Sequence, residues 1–498
     1  MSKLFMLFMI FYLLFWLNGC AASRQIKIET DASASLQAEL LYLISDPNLA
    51  NAQVGMLIEG LDDGKTLFRH NEHKLFIPAS NMKLYTSAAA LSILKPEFQF
   101  RTYFYTNGSL DHGTLYGDLI IRGSGDPTIS GRFRENDIFA YFKDWQDSLR
   151  QAGIRKINGR IIADESFFSG SRVRRTWEWD DLPFYYAAQI GALSFNDNCI
   201  DLEIQPTLQP SDSVIVNLTP EFPEVTIINR ARTVHRDSLR TFDITRERGQ
   251  NIITLSGSIP VGSAVIRESI TIEDPANYFV QILHHFWNQN GLEISARPVV
   301  IRGKSHINYD QLSVLFIHHS PPLPELLKVV NKNSNNFFAE QFLNVLGAVR
   351  YADGSQQSGL RAMNEWAASI GISPAEFNMV DGSGLSRKNL ISPFSTATLL
   401  RYMYRHAHFN IFAESLPIAG VDGTLRLRMK DTRAAGNVRA KTGFVANTRC
   451  LSGYVNDADG RPYLFVIMIN NYVVPTPYAN NLQDRVCVLL SNFSRKGS

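Results

Sequence analysis

Cysteine is scarce in this sequence, because its 498 residues contain only 4. None forms a Cys-x-x-Cys pair, which argues against thiol redox chemistry and against a structural zinc site. Beyond Cys20, the odd set Cys199, Cys450 and Cys487 allows at most one disulfide. Cys450 and Cys487 are the better candidates, because we expect the strand and the helix that carry them to pack together.

The sequence also lacks an excess of charge of either sign. Its 49 Lys and Arg residues against 47 Asp and Glu residues leave a formal net charge of +2. No run of like charge is present, so nothing in this balance favours a nucleic-acid partner. The short cluster Arg172, Arg174 and Arg175 is interpreted as a solvated loop face.

Metal-ligand patterns are missing as well. The histidines that lie together do so as adjacent pairs, His284-His285 and His318-His319. Because neighbouring residues point to different faces of a strand or helix, neither pair is suited to hold one ion. The sequence therefore predicts no metal site and no cofactor.

Only one long apolar run is present, from Leu4 to Leu17, and it follows Lys3. It is long enough for the core of a signal peptide and too short for a comfortable membrane span. Its end, Leu-Asn-Gly-Cys, resembles a bacterial lipoprotein box and predicts a signal peptide over residues 1–20 with Cys20 lipidated. The alternative is an ordinary signal peptide cut near Ala21-Ala22, which leaves a soluble periplasmic protein. If the organism has an outer membrane, Ala21 favours that membrane for the anchor.

Hydrophobic periodicity predicts elements of the same kind at both ends of the chain. The predicted elements are a hairpin over residues 52–72 with its turn at Asp63-Gly64, a buried helix over 80–94, two helices over 324–347 with a polar break at 331–336, a hairpin of strands 440–454 and 463–469 turned at Asp459-Gly460, and a helix over 478–493.

The middle of the chain has a different pattern of hydrophobic and turn-forming residues. From about residue 101 to about residue 317, short β-like runs alternate with Gly, Asp and Pro turns, and the stretch 213–262 has its own series of short strands. The economical architecture is one discontinuous α/β domain built from both ends, with a β-rich insertion between its first helix and the rest.

One candidate nucleophile lies at the start of the first predicted helix. A serine hydroxyl needs a base within hydrogen-bond reach and donors for the oxyanion. Ser80-Asn81-Met82-Lys83 places a lysine one helical turn after a serine, on the same helix face. A Ser-x-x-Lys should occur about once or twice by chance in a chain of this length, and its structural alternative is a helix cap followed by an exposed lysine.

Two further motifs follow in the chain. Ser334-Asn335-Asn336 gives Ser-x-Asn in the polar break between two apolar helices, from which side chains can be aimed into a cleft. Ser194-Phe195-Asn196 has the same form and is interpreted as a structural decoy. Lys441-Thr442-Gly443 lies on a predicted strand, where Gly443 lets a substrate backbone approach closely.

The order Ser-x-x-Lys, Ser-x-Asn, Lys-Thr-Gly resembles that of active-site serine penicillin-binding proteins and serine β-lactamases. The long insertion resembles that of the D-alanyl-D-alanine carboxypeptidase/endopeptidase family, the low-molecular-mass class C penicillin-binding proteins, and the resemblance covers essentially the whole mature chain. Four further stretches carry it: Gly123–Thr128, Ala192–Asn196, Asp381–Arg387 and Ala419–Leu425.

This resemblance implies an α/β (α+β) transpeptidase domain of the penicillin-binding/β-lactamase type. Its antiparallel sheet is flanked by helices, and β-rich domains are inserted into it. The predicted domains are a catalytic domain over residues 21–98 and 318–498, an inserted domain II over 99–212 and 263–317, and a small β-rich domain III over 213–262.

The resemblance also implies acyl transfer on peptidoglycan stem peptides and covalent binding of β-lactam antibiotics. Ser80 would attack the carbonyl of the penultimate D-alanine, with Lys83, kept neutral by nearby positive charge and partial burial, as its base. Ser334 and Lys441 would relay the proton to the leaving amine, and Asn336 would hold a substrate amide or Lys83.

Other residues are implied to bind the substrate. The backbone N–H groups of Ser80 and Phe444 would form the oxyanion hole, and Thr442 and Lys441 would bind the terminal carboxylate. Phe444 departs from the Thr or Ser that often follows Lys-Thr-Gly in the family, so a hydroxyl for that carboxylate is missing. This departure favours cleavage of cross-links, which have a larger leaving group.

A specificity pocket is implied within the insertion. Trp177 and Tyr185 would be its walls, Asp180 would face the side-chain amine of the stem-peptide diamino acid, and Arg387 would hold the carboxylate of that residue. The structural alternative is that these aromatic residues pack between domains.

Two other functions remain open from the sequence. A β-lactamase or esterase on the same fold would need fast deacylation, and no glutamate motif of the class A kind is present. A non-catalytic lipoprotein that only binds peptidoglycan would have no need for Ser80, Lys83, Ser334, Asn336 and Lys441 together.

Overall fold

The computed structural model describes residues 32–495. Cys20 and the predicted signal peptide lie outside these residues. Within them, no helix is long and apolar enough to cross a bilayer. The helices of the described residues are α1 (Ala32–Ile44), α2 (Met82–Ile93), α3 (Ala140–Gln151), α4 (Pro275–Gln289), α5 (Leu323–Lys332), α6 (Asn336–Tyr351), α7 (Gln356–Ser369), α8 (Pro393–Tyr404), α9 (Phe409–Ser415) and α10 (Thr476–Asn492).

The strands of the described residues occur both at the two ends of the chain and in its middle. In chain order they are β1 (Gln53–Gly60), β2 (Thr66–His70), β3 (Arg101–Thr106), β4 (Ser109–Asp111), β5 (Thr114–Tyr116), β6 (Leu119–Arg122), β7 (Lys156–Asn158), β8 (Ile161–Asp164), β9 (Cys199–Gln205), β10 (Ile215–Thr219), β11 (Thr226–Asn229), β12 (Arg232–Val234), β13 (Asp243–Arg246), β14 (Ile252–Ser256), β15 (Ser258–Pro260), β16 (Ile266–Thr271), β17 (Glu293–Ile294), β18 (Val299–Ile301), β19 (Ser313–His319), β20 (Phe377–Asn378), β21 (Leu390–Ile391), β22 (Arg439–Val445), β23 (Thr448–Asn456) and β24 (Pro462–Asn470).

Both ends of the chain meet in one five-stranded antiparallel sheet of order β2-β1-β24-β23-β22. Successive residues of its inner strands enter different cores, because side chains alternate between the faces of a sheet. Leu57 and Val466 join the core around α2, whereas Met56 and Ile467 join the core beneath α1 and α10. This sheet is therefore covered by helices on both faces, and β22 forms one of its edges.

The C-terminal hairpin differs from the prediction. The run 440–454 is not one strand, since it divides into β22 and β23, which pair with each other around a tight turn at Ala446-Asn447. Asn447 has a φ of 58°, a left-handed conformation that Asn tolerates better than most residues. The turn at Asp459-Gly460 joins β23 to β24 as predicted.

Cys450 and Cys487, the better candidates for a disulfide, do not form one. Within residues 32–495 all three cysteines are free and buried. Cys450 belongs to the core on the α2 face of the sheet, and Cys487 belongs to the core under α10 on the other face. Strand and helix do pack together, but the sheet itself separates the two thiols.

The middle of the chain contains more helix than predicted. Its sheets β18-β8-β6-β3-β19 and β17-β7-β5-β4 are accompanied by α3 and α4. Buried aromatic side chains join sheet and helix, since the ring centroids of Phe104 on β3 and Trp145 on α3 lie 5.0 Å apart. The helical pattern is present in the sequence, with Tyr141, Trp145 and Leu149 buried on one face of α3, and the interpretation of this region as β-rich overlooked it.

The stretch 213–262 forms small sheets of order β11-β14-β13 and β12-β15. Its first strand, β10, pairs with β9, which also pairs with β16, so a third sheet continues past the predicted limits of that unit. The division of the chain into three domains stays a prediction.

Candidate active site

Ser80 lies in a short 3₁₀ turn, Ala79–Asn81, that runs directly into α2. The predicted helix therefore becomes regular two residues after the serine. Ala79 has a φ of 46°, which is uncommon for a residue other than glycine. Two glycines hold this turn: a Cβ on Gly384 would lie 1.8 Å from the carbonyl oxygen of Ala79, and one on Gly443 would lie 2.5 Å from that of Pro78. Any side chain at either glycine would displace the serine.

Lys83 is fully buried beneath Ser80. Its Nζ donates to Ser80 Oγ at 3.0 Å, to Asn336 Oδ1 at 2.6 Å and to the carbonyl oxygen of Ser383 at 2.7 Å. Burial lowers the pKa of Lys83 to about 7, while the negative charges of Asp381 and Glu340 oppose that shift. Burial, rather than the expected nearby positive charge, is what frees this amine to act as a base.

A second serine–lysine pair lies at the break between α5 and α6. Lys441 on β22 donates to Ser334 Oγ at 2.9 Å and to the carbonyl oxygen of Thr442 at 2.9 Å. Burial, and then the charge of Lys83, hold the pKa of Lys441 well below its usual range. Ser334 has a φ of 56°, and the neighbouring Asn335 caps α6 by accepting from the backbone N–H of Phe338. This cap ends the polar break and aims Ser334 towards β22.

Asn336 begins α6 and connects the two parts of the molecule. Its Oδ1 accepts from Lys83, and its Nδ2 donates to the carbonyl oxygen of Tyr186 at 2.7 Å. Of the two contacts predicted for this amide, the structure contains the one to Lys83. The insertion is thereby tied to the base through a single side chain.

Two buried carboxylates behind Lys83 were missed by the sequence reasoning. Glu340 accepts from the backbone N–H of Ser383 at 2.8 Å and from Arg174 Nε at 2.8 Å. The expectation of a solvated Arg174 is wrong, because this side chain is 1% exposed and also donates to Asn344. Glu340 lies one helical turn after Asn336, which is the only sequence signal that could have identified it.

Asp381 is the second buried carboxylate. Burial and then the charge of Glu340 raise the pKa of Asp381 to about 6. Its oxygens accept four hydrogen bonds, from the backbone N–H groups of Gly384 and Ser386, from Asn389 Nδ2 and from Trp177 Nε1. These bonds shape the loop whose carbonyl oxygen at Ser383 receives Lys83.

The predicted pocket residues differ in burial and in their partners. Trp177 is 8% exposed and bonded to Asp381, whereas Tyr185 is 57% exposed and Asp180 is exposed. Arg387 donates to the carbonyl oxygen of Ala446 at 2.8 Å. The structure therefore gives Trp177 a buried partner, and the diamino-acid pocket stays a prediction.

Thr442 and Phe444 follow Lys441 on β22 and are more exposed than the lysine. Thr442 Oγ1 lies 2.8 Å from Thr424 Oγ1. The Phe444 ring is 61% exposed, and the guanidinium of Arg449 lies 3.5 Å from its centroid. Arg449 is a further residue that sequence reasoning missed, because only the register of β22 against β23 places it opposite Phe444.

Known proteins resemble this chain over nearly its whole length. The model of a family described as D-Ala-D-Ala carboxypeptidase 3 (S13) matches residues 36–493. A D-alanyl-D-alanine carboxypeptidase of an Actinomadura species is 30% identical over 472 residues, which are 92% of this chain and 85% of that protein. The D-alanyl-D-alanine carboxypeptidase DacB of Haemophilus influenzae is 28% identical over 84% of this chain and 86% of its own. The crystal structure of penicillin binding protein 4 from Haemophilus influenzae superposes with a TM-score of 0.80 at 25% identity, covering 91% of this chain and 99% of that chain.

Proposed function

Because this chain belongs to the D-Ala-D-Ala carboxypeptidase 3 (S13) family, we propose that Ser80 is the nucleophile with which it cleaves D-alanyl bonds in peptidoglycan stem peptides. The observation that carries this proposal is the contact of Ser80 Oγ with Lys83 Nζ at 3.0 Å. A lysine whose pKa lies at about 7 is matched to accept a proton near neutral pH.

Acylation follows from this arrangement. Neutral Lys83 takes the proton of Ser80 Oγ as the oxygen attacks the carbonyl of the penultimate D-alanine. The leaving amine takes its proton from Ser334, whose hydroxyl is bonded to Lys441, and the proton that Lys83 removed from Ser80 replaces it. Lys83, neutral again, takes a proton from the water that attacks the acyl-enzyme and returns it to Ser80 Oγ as the ester bond breaks. The backbone N–H groups of Ser80 and Phe444 are our candidates for the oxyanion hole.

We extend the proposal to cross-linked peptides, in which the leaving amine belongs to a neighbouring stem. Support comes from Phe444, which replaces a small hydroxyl side chain by a large exposed ring at the mouth of the cleft. An apolar ring there tolerates a bulky leaving group better than a hydroxyl that needs a polar partner.

We also propose that the chain is exported and lipid-anchored at Cys20, on the evidence of the apolar run from Leu4 to Leu17. Mass spectrometry of the mature N-terminus would test this proposal. A diacylglyceryl group on Cys20 is expected, and a mature chain that begins after Cys20 would contradict the anchor.

The nucleophile is tested by incubating the protein with benzylpenicillin and measuring its intact mass, followed by peptide mapping. We expect one adduct per chain, located on Ser80 and persisting for minutes or longer. Ser80→Ala should abolish the adduct, while Ser92→Ala, a serine on the same helix, should keep it. An intact protein with hydrolysed drug would indicate a β-lactamase, and an intact protein with intact drug would indicate a binding protein.

A further inference from the structure

Arg449 lies on β23, the strand next to the edge strand that carries Lys441. Because β22 is an edge strand, only one of its sides pairs with another strand, and its Lys441 contacts Ser334. Arg449 lies on β23 directly opposite Phe444, and its guanidinium lies 3.5 Å from the centroid of the Phe444 ring. The charge of a residue of β23 is therefore placed against a side chain of the edge strand β22.

The charge of Arg449 has no carboxylate as an ion-pair partner among residues 32–495. Its side chain donates to the carbonyl oxygen of Thr448 at 3.0 Å and interacts with the Tyr472 hydroxyl. Half-burial, with Arg428 on the same side, lowers the pKa of Arg449, and the nearby Tyr472 hydroxyl opposes that shift. A partly desolvated cation of this kind is stabilised when an anion binds beside it.

The neighbouring groups are poorly suited to hold an anion on their own. Lys441 is bonded to Ser334 and to the carbonyl oxygen of Thr442, and its depressed pKa makes it an unreliable cation. The Thr442 hydroxyl is shared with Thr424. Phe444 offers no polar atom in its side chain, and the cation that contacts its ring is Arg449.

We propose that Arg449 binds the α-carboxylate of the amino acid whose amine leaves. The substrates would then be peptides in which the carbon beside the scissile nitrogen carries a free carboxylate. Terminal D-alanine meets this condition, as do cross-links through an amine whose carbon also bears a carboxylate. Phe444 holds the guanidinium of Arg449 through a cation–π contact. The guanidinium then supplies two charged N–H donors for the carboxylate, in place of the hydroxyl that is missing at Phe444. The inference rests on the proposed function of Ser80.

The test compares two substrates that differ only at the leaving residue. One peptide ends in D-Ala-D-Ala with a free carboxylate, and the other ends in the corresponding carboxamide. Arg449→Gln should lower kcat/KM for the acid by about 10-fold or more, since a charge-assisted hydrogen bond is lost, and should change kcat/KM for the amide by less than about 2-fold. Arg439→Gln, on the same strand system but at the far end of β22, removes an equal charge and should leave both values unchanged.

Two more variants keep the result interpretable. Arg449→Lys should lose about 3-fold on the acid, because an ammonium keeps the charge without the fork. Phe444→Thr combined with Arg449→Gln should recover part of the lost activity by restoring a hydroxyl. An equal loss on both peptides, with a lower melting temperature, would show that Arg449 only supports the sheet and would overturn the inference, as would no loss at all. If the unaltered protein cleaves neither peptide and Ser80 takes up no benzylpenicillin, the proposed function itself fails.

Discussion

The floor of the cleft and its mouth are built differently. The floor, formed by Ser80, Lys83, Ser334, Asn336 and Lys441, consists of side chains that bond to one another, and both lysines are fully buried. The mouth, the name we give to the proposed substrate-binding residues Asp180, Tyr185, Phe444 and Arg449, consists of side chains that are exposed or half-buried. The floor is preorganised for one reaction, whereas the mouth is left to meet different leaving groups.

The largest effect is expected at the centre of the floor. Lys83→Met removes the base and leaves the volume filled, so the rate of Ser80 acylation by benzylpenicillin should fall by about 10³-fold. The folded state should not suffer, because the buried amine is itself costly. Intact-mass kinetics and a denaturation curve measure the two quantities. If acylation persists within about 10-fold of the normal rate, another group is the base, and the buried lysine does not distinguish the floor from the mouth.

The second effect concerns what holds the floor in place. Glu340→Gln leaves Arg174 buried without its counter-ion, and this should cost about 3 kcal/mol of unfolding free energy. The matched control is Glu325→Gln, which breaks the half-exposed pair with Lys328 and should cost about 0.5 kcal/mol. Urea denaturation of both variants compares them. Equal losses of unfolding free energy in the two variants would mean that the buried ion pair stabilises the fold no more than the half-exposed one.

The floor also predicts a pH dependence. The pKa of Lys83 falls from 10.5 to about 7 on burial, so acylation should rise with pH and reach half its maximum near pH 7. Between pH 7 and pH 10.5 Lys83 is protonated in the unfolded chain and neutral in the folded chain. The contribution of Lys83 to the free energy of unfolding therefore increases as pH rises through this window. The negative charges of Asp381 and Glu340 raise the pKa of Lys83, so Glu340→Gln should lower that pKa and move the midpoint of the acylation profile to lower pH. The other titratable group beside Lys83 is Lys441, whose own pKa is held low by burial and by Lys83. A profile that is flat from pH 5 to 9 would contradict Lys83 as the base.

The same contrast explains how much could be predicted from the sequence. The residues of the floor follow from three short motifs, and the structure brings them within hydrogen-bond distance, because helix and strand geometry fixes side chains at short spacing. The sequence also predicts a hairpin at each end of the chain, and the structure joins the two ends by antiparallel pairing of β1 with β24.

What could not be predicted depends on long-range register and burial. Arg449 acquires its place only through its pairing with Phe444, and Arg174 is buried only because Glu340 meets it from a distant helix. The question of a disulfide between Cys450 and Cys487 could not be decided for the same reason, since nothing near either residue in the chain indicates which face of the sheet it occupies. Local pattern determines elements, whereas contacts between elements decide these three outcomes.

The smallest effect is expected at the mouth, at Asp180. This carboxylate is exposed, so an ion pair with the side-chain amine of a stem-peptide diamino acid is screened by water. Asp180→Asn should therefore raise KM by only about 2–5-fold for a stem peptide with a free side-chain amine. The same peptide with that amine acetylated should show no change, and Glu178→Gln, an exposed neighbour, should show none on either peptide. An equal rise in KM for both peptides would show that Asp180 does not recognise the side-chain amine. A loss approaching that of Lys83→Met would mean that this part of the mouth closes over the substrate and becomes as dry as the floor.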